Sequence, residues 1–426
     1  MKYAIIFAFT VIAVSCIEAP NQYSELPPGQ WRAVMKLSDD MKLGNESALV
    51  EADKNLLNYF ELPFNMEVTS ENGELNVFLL NGSERMKADE VFYGRDPSTA
   101  KDTVKIGFSG FDTYLDAFYE ENFIEGFWKV PYRGKDYSIP FLATYGESHR
   151  FDMPASEENY NFSGQWKAIF SYGSENAYPA IAEFSQNGQK LLGTIMTETG
   201  DYRYLQGNVS GDKMKLSVFD GAHAFLFSAK VTEDTITGEF KSGSHYTTNW
   251  IAFRDESFEL KNPYELSKKL SEKAIEFEFE NLDGGTTKLS DPSFEGKIKL
   301  VNIMGTWCPN CYDEIEFLKN FKEENPDVVI LSVAYEKYKD TDKAKNVLRN
   351  YKTKRGIDWP LLYGGYADKE ETGRDFPFID KIYSYPSLLI IDGENKLAGI
   401  QTGFYGPATS KHESFKNEFY AILGTL

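Results

Sequence analysis

Cysteine is scarce in this chain, with three residues among 426, at positions 16, 308 and 311. A scaffold held together by many disulfides is therefore excluded, and most of the chain must fold without such crosslinks. There is no second Cys-x-x-Cys pair and the histidines show no ligand spacing, which argues against a structural zinc site. The sequence accordingly predicts neither a metal site nor a cofactor. The four histidines are His149, His223, His245 and His412.

Basic residues are too few to balance the acidic ones. The chain has 45 Lys and Arg against 65 Asp and Glu, for a formal net charge of -20, and no basic cluster stands out. Because binding to nucleic acid and electrostatic adhesion to anionic lipid both require positive charge, this composition argues against both. The 42% hydrophobic content still permits proper cores, and the length suffices for several domains.

The apolar run near the N-terminus, residues 3–13, is shorter than the roughly 20 residues that a membrane-spanning helix needs. A basic residue precedes it and small residues follow it, so the pattern predicts an export signal over residues 1–16. A cysteine at that boundary further predicts a lipoprotein acylated at Cys16, although Ala13 stands where leucine is usual. The alternative is simple cleavage that releases a soluble exported protein. Lipidation would leave only the Cys-x-x-Cys pair as free thiols.

Residues 31–253 have a texture of their own. They are rich in aromatic residues, with short alternating runs separated by turn signals such as Asn72-Gly73 and Asn187-Gly188. These features are typical of antiparallel hairpins. We predict two tandem all-β units, residues 26–150 and 160–256, each with about six to eight short strands arranged as a meander, small barrel or packed sheet.

The two β-units carry an internal repeat. Gly-Gln-Trp-Arg-Ala at residues 29–33 recurs as Gly-Gln-Trp-Lys-Ala at residues 164–168, and Ala143 with its aromatic neighbours recurs at Ala252. The two offsets, 135 and 109 residues, differ by about 26. The first copy is therefore predicted to contain an insertion, for which residues 38–60 are the obvious candidate. Chance similarity between aromatic β-sequences is the alternative.

A charged segment, residues 257–274, separates the β-units from the last third of the chain. Asn262-Pro263 begins a helical pattern with Leu266 and Leu270 four apart, and asparagine followed by proline is a common helix start. We therefore predict a connector helix here, followed by a C-terminal domain over residues 275–426.

The sequence Trp-Cys-Pro-Asn-Cys at residues 307–311 follows an apolar run, residues 298–304, and opens a segment with helical periodicity. This strand-then-helix setting is what a dithiol redox site requires. A helix that starts at Cys308 favours a thiolate there, because unpaired N–H groups and the helix dipole stabilise negative charge. Cys311 lies about one turn further on, so one thiolate can attack and the other can resolve. A purely structural disulfide is the alternative, but a loop of two residues constrains little of the unfolded chain.

The rest of this domain alternates as an α/β fold should. Apolar runs at residues 328–333 and 388–391 predict buried strands, while residues 342–354 and 414–423 predict helices. Residues 363–380 are Gly-rich and charged. This segment either helps to select substrate or is merely a solvated loop and helix.

Three motifs resemble the thioredoxin-like, membrane-associated protein-disulfide reductases of the TlpA and ResA type, which belong to the same superfamily as the AhpC/TSA proteins. They are KIKLVNIMGTWCPNCYDE (residues 297–314), YSYPSLLIID (residues 383–392) and GFYGPAT (residues 403–409). Together they span the last third of the chain in the family's order and spacing. The resemblance implies a C-terminal thioredoxin fold.

The resemblance also assigns roles to individual residues. It implies that Cys308 is the nucleophile, that Cys311 is the resolving thiol, and that Glu314 assists proton transfer at the active site. Pro386 matches the cis-proline that faces the dithiol and lets substrate backbone pair beside Tyr385. The aromatic residue that precedes the nucleophile, Trp307, completes the predicted substrate-binding surface.

Two departures from related patterns bear on the direction of the reaction. Asn302 stands where ordinary thioredoxins carry a buried aspartate, so proton transfer would pass to Glu314 or water. Asn310 precedes the second cysteine, where strong oxidants of the DsbA type place a histidine. Because asparagine cannot stabilise a thiolate by charge, a reductant is favoured over an oxidant.

These features predict an extracytoplasmic thiol-disulfide oxidoreductase, anchored by lipid to a bacterial membrane, that reduces protein disulfides. Its partners would be exported proteins with disulfides and an unidentified thiol electron donor. Two alternatives remain open. The β-units could make the protein chiefly a surface or periplasmic binding module, or the dithiol could serve a thiol peroxidase, although Thr306 lies too near Cys308 for the usual peroxidase pattern.

Overall fold

The computed structural model describes residues 24–38 and 60–426. The predicted export signal with Cys16, and nearly all of the predicted insertion at residues 38–60, lie outside these residues. Within the described ranges, every helix is too short or too polar to cross a membrane.

The first β-unit is a nine-stranded antiparallel sheet that curls into an open half-barrel. Neighbouring strands pair in the order β4-β3-β2-β1-β9-β8-β7-β6-β5, so that β4 and β5 form the two edges. The strands are β1 (Gly29–Lys36), β2 (Glu61–Glu71), β3 (Glu74–Asn81), β4 (Glu84–Lys87), β5 (Glu90–Arg95), β6 (Asp102–Phe108), β7 (Thr113–Glu120), β8 (Phe123–Lys129) and β9 (Ser138–Tyr145).

The second β-unit also has nine strands, but its sheet closes. The order is β11-β10-β18-β17-β16-β15-β14-β12-β13, and the additional pairing of β11 with β12 completes an eight-stranded barrel. Both units thus exceed the six to eight strands predicted, since the sequence pattern did not resolve the shortest strands. The strands are β10 (Gly164–Phe170), β11 (Tyr178–Asn187), β12 (Lys190–Thr197), β13 (Gly200–Asp201), β14 (Leu205–Ser210), β15 (Lys213–Phe219), β16 (Ala224–Thr232), β17 (Thr235–Ser242) and β18 (Tyr246–Arg254).

The two copies of the repeated sequence occupy corresponding positions. Ala33 of β1 pairs with Ala143 of β9, and Ala168 of β10 pairs with Ala252 of β18. Each Trp of the repeat is fully buried, and its indole N–H donates to the carbonyl four residues earlier, at 3.4 Å in the first unit and 2.8 Å in the second. The repeated residues therefore pack the equivalent part of each unit.

The C-terminal domain is a seven-stranded mixed sheet flanked by helices. Strands β21, β22 and β23 run parallel, and the order is β20-β19-β23-β22-β21-β24-β25. The predicted strands and helices are present, with ends that differ by at most three residues, and residues 363–380 contain the end of β23 and a short helix. The elements are β19 (Glu278–Asn281), β20 (Thr286–Lys288), β21 (Lys299–Met304), β22 (Val329–Glu336), β23 (Leu361–Tyr366), β24 (Ser387–Ile391) and β25 (Leu397–Thr402), with helices α2 (Pro309–Glu324), α3 (Thr341–Arg355), α4 (Lys369–Asp375) and α5 (His412–Leu423).

The connector contains much less helix than predicted. Helix α1 (Pro263–Leu266) is a single turn capped by Asn262, and the chain then runs extended, with bridges from Lys269 to Ile379 and from Ala274 to Lys396. Leu266 is buried but Leu270 is 63% exposed, so the two do not form one apolar helix face. The backbone of this segment forms hydrogen bonds with the C-terminal domain instead of the hydrogen bonds of a helix.

The barrel packs against both neighbours. Phe219 of the barrel lies in the core of the first unit, 4.6 Å from Phe64 between ring centroids, while Ile181 and Met196 join the core of the C-terminal domain. The predicted multidomain architecture, two antiparallel β-units followed by a thioredoxin-like domain, is confirmed, and the barrel links the other two parts.

Candidate active site

The dithiol lies where β21, an interior strand of the C-terminal sheet, gives way to a helix. Every residue of β21 is buried between β22 and β24, as expected for a largely apolar strand with neighbours on both sides. After the short turn at residues 305–307, α2 begins with Cys308 as its N-cap and Pro309 in its first turn. Proline suits this position because its missing N–H would have no helical partner.

The two cysteines differ in environment. The Cys308 sulfur accepts a hydrogen bond from the Cys311 N–H at 3.2 Å, and its own thiol faces the Tyr385 carbonyl at 3.5 Å. Cys308 is 7% exposed, whereas Cys311 is completely buried, and burial together with the neighbouring Cys308 raises the pKa of Cys311 well above its usual value. Cys308 is therefore the more accessible sulfur of the pair, and Cys311 is held in its protonated form.

Glu314 lies next to this pair inside the domain. It follows Cys311 by one turn of α2, is fully buried, and accepts hydrogen bonds from the Asn302 amide and, at 3.1 Å, from the Gln401 amide. Burial raises the pKa of Glu314 to about 8, although the Asn302 bond opposes the shift. The Tyr264 hydroxyl of α1 donates to the side-chain Oε1 of Gln401 at 2.8 Å, which ties the connector to the same network.

The residues predicted to bind substrate line the same place. The Tyr385–Pro386 peptide bond is cis, and the Tyr385 carbonyl points toward the Cys308 sulfur. The Trp307 indole is held by a 3.0 Å hydrogen bond to the Tyr335 carbonyl and packs edge-on against Tyr385, with ring centroids 5.5 Å apart. All the predicted site residues of this domain are thus brought together around the dithiol.

Sequence reasoning missed two buried residues that support the site. Gln401 holds Glu314 from β25, and Glu336 at the end of β22 accepts from the Thr306 N–H and hydroxyl at 3.0 Å and 2.9 Å. Both are essentially unexposed. The available signal was a polar residue at the end of an otherwise apolar strand, which alone does not tell which site it faces.

A dithiol at the start of a helix that follows a central strand, opposite a cis-proline, defines a thioredoxin-like redox domain. Comparison with known proteins gives the same class. Residues 270–400 match the AhpC/TSA family. The C-terminal domain is accordingly a thioredoxin-like thiol-disulfide oxidoreductase domain.

Three named bacterial proteins are similar in sequence to this domain. The thiol:disulfide interchange protein DsbE of Vibrio cholerae is 35% identical over 134 residues, which are 31% of this chain and 64% of that protein. The thiol-disulfide oxidoreductase ResA of Bacillus subtilis is 25% identical over 30% of this chain and 65% of its own length. The thioredoxin-like protein YneN of Bacillus subtilis is 25% identical over 31% of this chain and 71% of its own. The chain thus spans about two thirds of each relative.

Solved structures that resemble the chain cover a similar share of it. A thiol-disulfide oxidoreductase from Bacteroides fragilis is 17% identical, with a TM-score of 0.26, and covers 35% of this chain and 98% of its own. StoA from Bacillus subtilis is 14% identical, with a TM-score of 0.25, and covers 34% of this chain and 98% of its own.

Proposed function

We propose that this protein is an exported thiol-disulfide oxidoreductase that reduces disulfides in other exported proteins through Cys308 and Cys311. The observation that carries the proposal is the asymmetry of the pair. One sulfur is the N-cap of α2, and the other is fully buried beside Glu314. This arrangement suits a first thiol that attacks and a second that is released only when a proton acceptor is available.

The chemistry balances as a two-electron exchange. The Cys308 thiolate attacks one sulfur of the client disulfide, forming a mixed disulfide and expelling the other client sulfur as a thiolate, which takes up a proton. Cys311 then passes its proton toward Glu314 and attacks Cys308. The second client sulfur leaves as a thiolate and takes up a proton, so the client holds two thiols and the protein holds the Cys308–Cys311 disulfide. An external dithiol donor must reduce that disulfide again.

Location and anchoring belong to the same proposal. Cys16 as a lipid attachment site would hold the protein on the outer side of a bacterial membrane and would keep a third thiol away from the dithiol. Blocking lipoprotein signal peptidase should then leave an unprocessed precursor. Unchanged processing would contradict the anchor but not the redox chemistry.

Reduction of insulin by the purified chain tests the activity. Cys308→Ser should abolish it, because the other described thiol, Cys311, is fully buried and cannot make the first attack. Cys311→Ser should instead accumulate mixed disulfides with client proteins, since the first step remains and resolution is lost. Retained insulin reduction in Cys308→Ser would contradict the assignment.

Equilibration with glutathione tests the direction. A reductant should have a Cys308–Cys311 potential well below the roughly -120 mV of a strong oxidant such as DsbA. A value near that limit would contradict the reductase proposal while leaving the nucleophile assignment intact.

A further inference from the structure

A short piece of the barrel lies on the active-site face of the C-terminal domain. This segment, residues 199–203, follows β12 and contains β13; we call it the cap segment. The Thr199 carbonyl accepts from the hydroxyl of Ser384, two residues before Pro386, at 3.1 Å. A Cβ added at Gly403 would come within 2.5 Å of the Thr199 backbone, so the backbones at these two positions are in close contact.

The dithiol motif itself holds the cap segment. In the amide orientation that matches donors to acceptors, Asn310 accepts from the Asp201 N–H at 2.9 Å and donates to the Asp201 carbonyl at 3.2 Å. This is the pairing that one extended strand offers to another. The Asp201 carboxylate in turn accepts from the Gly406 N–H at 2.7 Å.

Arg203 anchors the end of the cap segment. Its guanidinium donates to the Pro309 carbonyl at 3.3 Å and forms ion pairs with Asp313 of α2 and Glu84 of the first β-unit. The Arg203 side chain is 5% exposed, so these contacts are made inside the molecule. All three parts of the protein therefore meet at this residue.

The dithiol and the predicted client site, which the cap segment contacts, are both buried. Cys308 is 7% exposed, Tyr385 is 8% exposed, and Pro386 is buried. Hydrogen bonds of the cap segment's backbone and of the Asp201 carboxylate join it to Asn310 of the dithiol motif, to Ser384 near Pro386 and to Gly406. A client polypeptide lying beside Tyr385 would need the same space.

The surface beside Tyr385 and Pro386, where an extended client would pair, is here called the client groove. We propose that the cap segment is a specificity element that occupies the client groove and must leave it before an extended polypeptide can pair there. The inference rests on the proposed function and adds the basis of its selectivity. A small disulfide needs only the space at the Cys308 sulfur, whereas a protein disulfide needs the whole groove. The segment thus disfavours polypeptide clients that cannot displace it, and the rate with such clients scales with the fraction of open molecules.

Loosening the cap segment should therefore change the ratio of two rates. A Cβ at Gly200 would lie 1.9 Å from the Asn310 amide, so Gly200→Ala should shift the equilibrium toward the open form. We expect the rate with insulin, divided by the rate with hydroxyethyl disulfide, to rise roughly fivefold or more. Using this ratio cancels any change in the intrinsic reactivity of Cys308.

Gly134→Ala is the matched control. Gly134 also has a positive φ, 118° against 146° at Gly200, but a Cβ there would meet open space. Its rate ratio should equal that of the unaltered protein. A folded Gly200→Ala protein with an unchanged ratio would overturn the inference. Failure of the unaltered protein to reduce either disulfide would overturn the proposed function instead.

Hydrogen exchange tests the inference without altering the barrel. In Cys311→Ser, Cys308 can be joined to a cysteine peptide by its attack on a 2-thiopyridyl disulfide, with release of 2-thiopyridone. The amide hydrogens of Asp201 and Gly406, which bond across the contact, should then exchange faster. A methylthio group on Cys308 should leave them protected, and amides in the β16–β17 pair should not change in either sample. Unchanged or increased protection in the peptide adduct would overturn the inference even if Gly200→Ala does not fold.

Discussion

At the scale of single residues, the site depends on a carboxyl group that is difficult to ionise. Glu314 is fully buried, and two side-chain amides donate to its oxygens. Burial dominates, so its pKa of about 8 leaves it mostly protonated at neutral pH. A buried thiol beside it also resists ionisation, since the pKa of Cys311 is raised. Both groups are therefore mostly protonated at neutral pH.

This environment predicts the pH dependence of the resolving step. Because the carboxylate form of Glu314 accumulates as pH rises through about 8, the rate of resolution should rise over the same range. Glu314→Gln keeps the shape of the side chain but cannot accept a proton, so the rise should disappear and the rate above that pH should fall roughly 100-fold. Stopped-flow measurement of mixed-disulfide decay between pH 6 and 10 checks this.

Glu336→Gln is the control for that measurement. Glu336 is an equally buried acid, and burial raises its pKa to about 7, but its carboxylate faces Thr306 instead of the thiols. The rise near pH 8 should survive in Glu336→Gln. If it survives in Glu314→Gln as well, Glu314 does not take the proton.

At the scale of elements, the connector is linked to the dithiol site by one hydrogen bond, from Tyr264 to Gln401. Helix α1 has a single turn, yet its Tyr264 hydroxyl reaches Gln401, whose amide holds Glu314. Gln401 of β25 thus contacts both the connector and Glu314. The extended remainder of the connector pairs at Lys269 and Ala274 with the same domain, which fixes where α1 sits.

Removing the Tyr264 hydroxyl should disturb this network. Tyr264→Phe leaves the fully buried Gln401 oxygen without that donor, a loss of about 1 to 3 kcal/mol in the free energy of unfolding. Urea unfolding measures it. Tyr145→Phe, which removes an exposed hydroxyl bond to the Pro28 carbonyl at 3.0 Å, should cost less. Equal losses in the two variants would show that Gln401 does not depend on Tyr264.

At the scale of the whole molecule, buried arginines join the separate sheets. Arg150, in the link between the β-units, donates to side chains and carbonyls of β2, β3 and β15 and is 2% exposed. Burial lowers its pKa to about 9. Helix α3 is tied to the first unit by Lys354 and Arg355, which pair with Glu90 and Asp89 at 2.6 Å and 3.3 Å. The two β-units therefore act as one support for the redox domain.

Arg150→Met should weaken that support. The substitution fills similar volume but leaves several buried oxygens without donors, so we expect a loss of about 2 to 4 kcal/mol in the free energy of unfolding. Arg95→Met, which breaks an ion pair with Asp102 at 3.5 Å on a partly exposed surface, should cost less than about 1 kcal/mol. Urea unfolding followed by tryptophan fluorescence compares them. Equal stability in the two variants would contradict a structural role for Arg150.

Much of this architecture could be predicted from local patterns. Alternation and turn residues indicated the β-units, and an apolar run before Cys308 indicated β21, because burial on both faces selects apolar side chains. Strand counts were too low where strands are as short as β13, and the connector helix was too long because a four-residue spacing of leucines also occurs in extended chain. Leu266 is buried and Leu270 is exposed, since the chain after α1 is extended and pairs with the C-terminal domain instead of continuing the helix.

The sequence by itself determined the local arrangement of the candidate site: two thiols one helical turn apart, a proline at the helix start, and an acid one turn further on, since these are properties of neighbouring residues. Only the tertiary structure decided the surroundings. The Gln401 and Tyr264 bonds, and the cap segment on Asn310, join residues that are 87, 137 and about 110 positions apart along the chain. Such contacts depend on how the sheets pack. A local sequence pattern does not indicate which residue from a distant part of the chain will contact a given side chain.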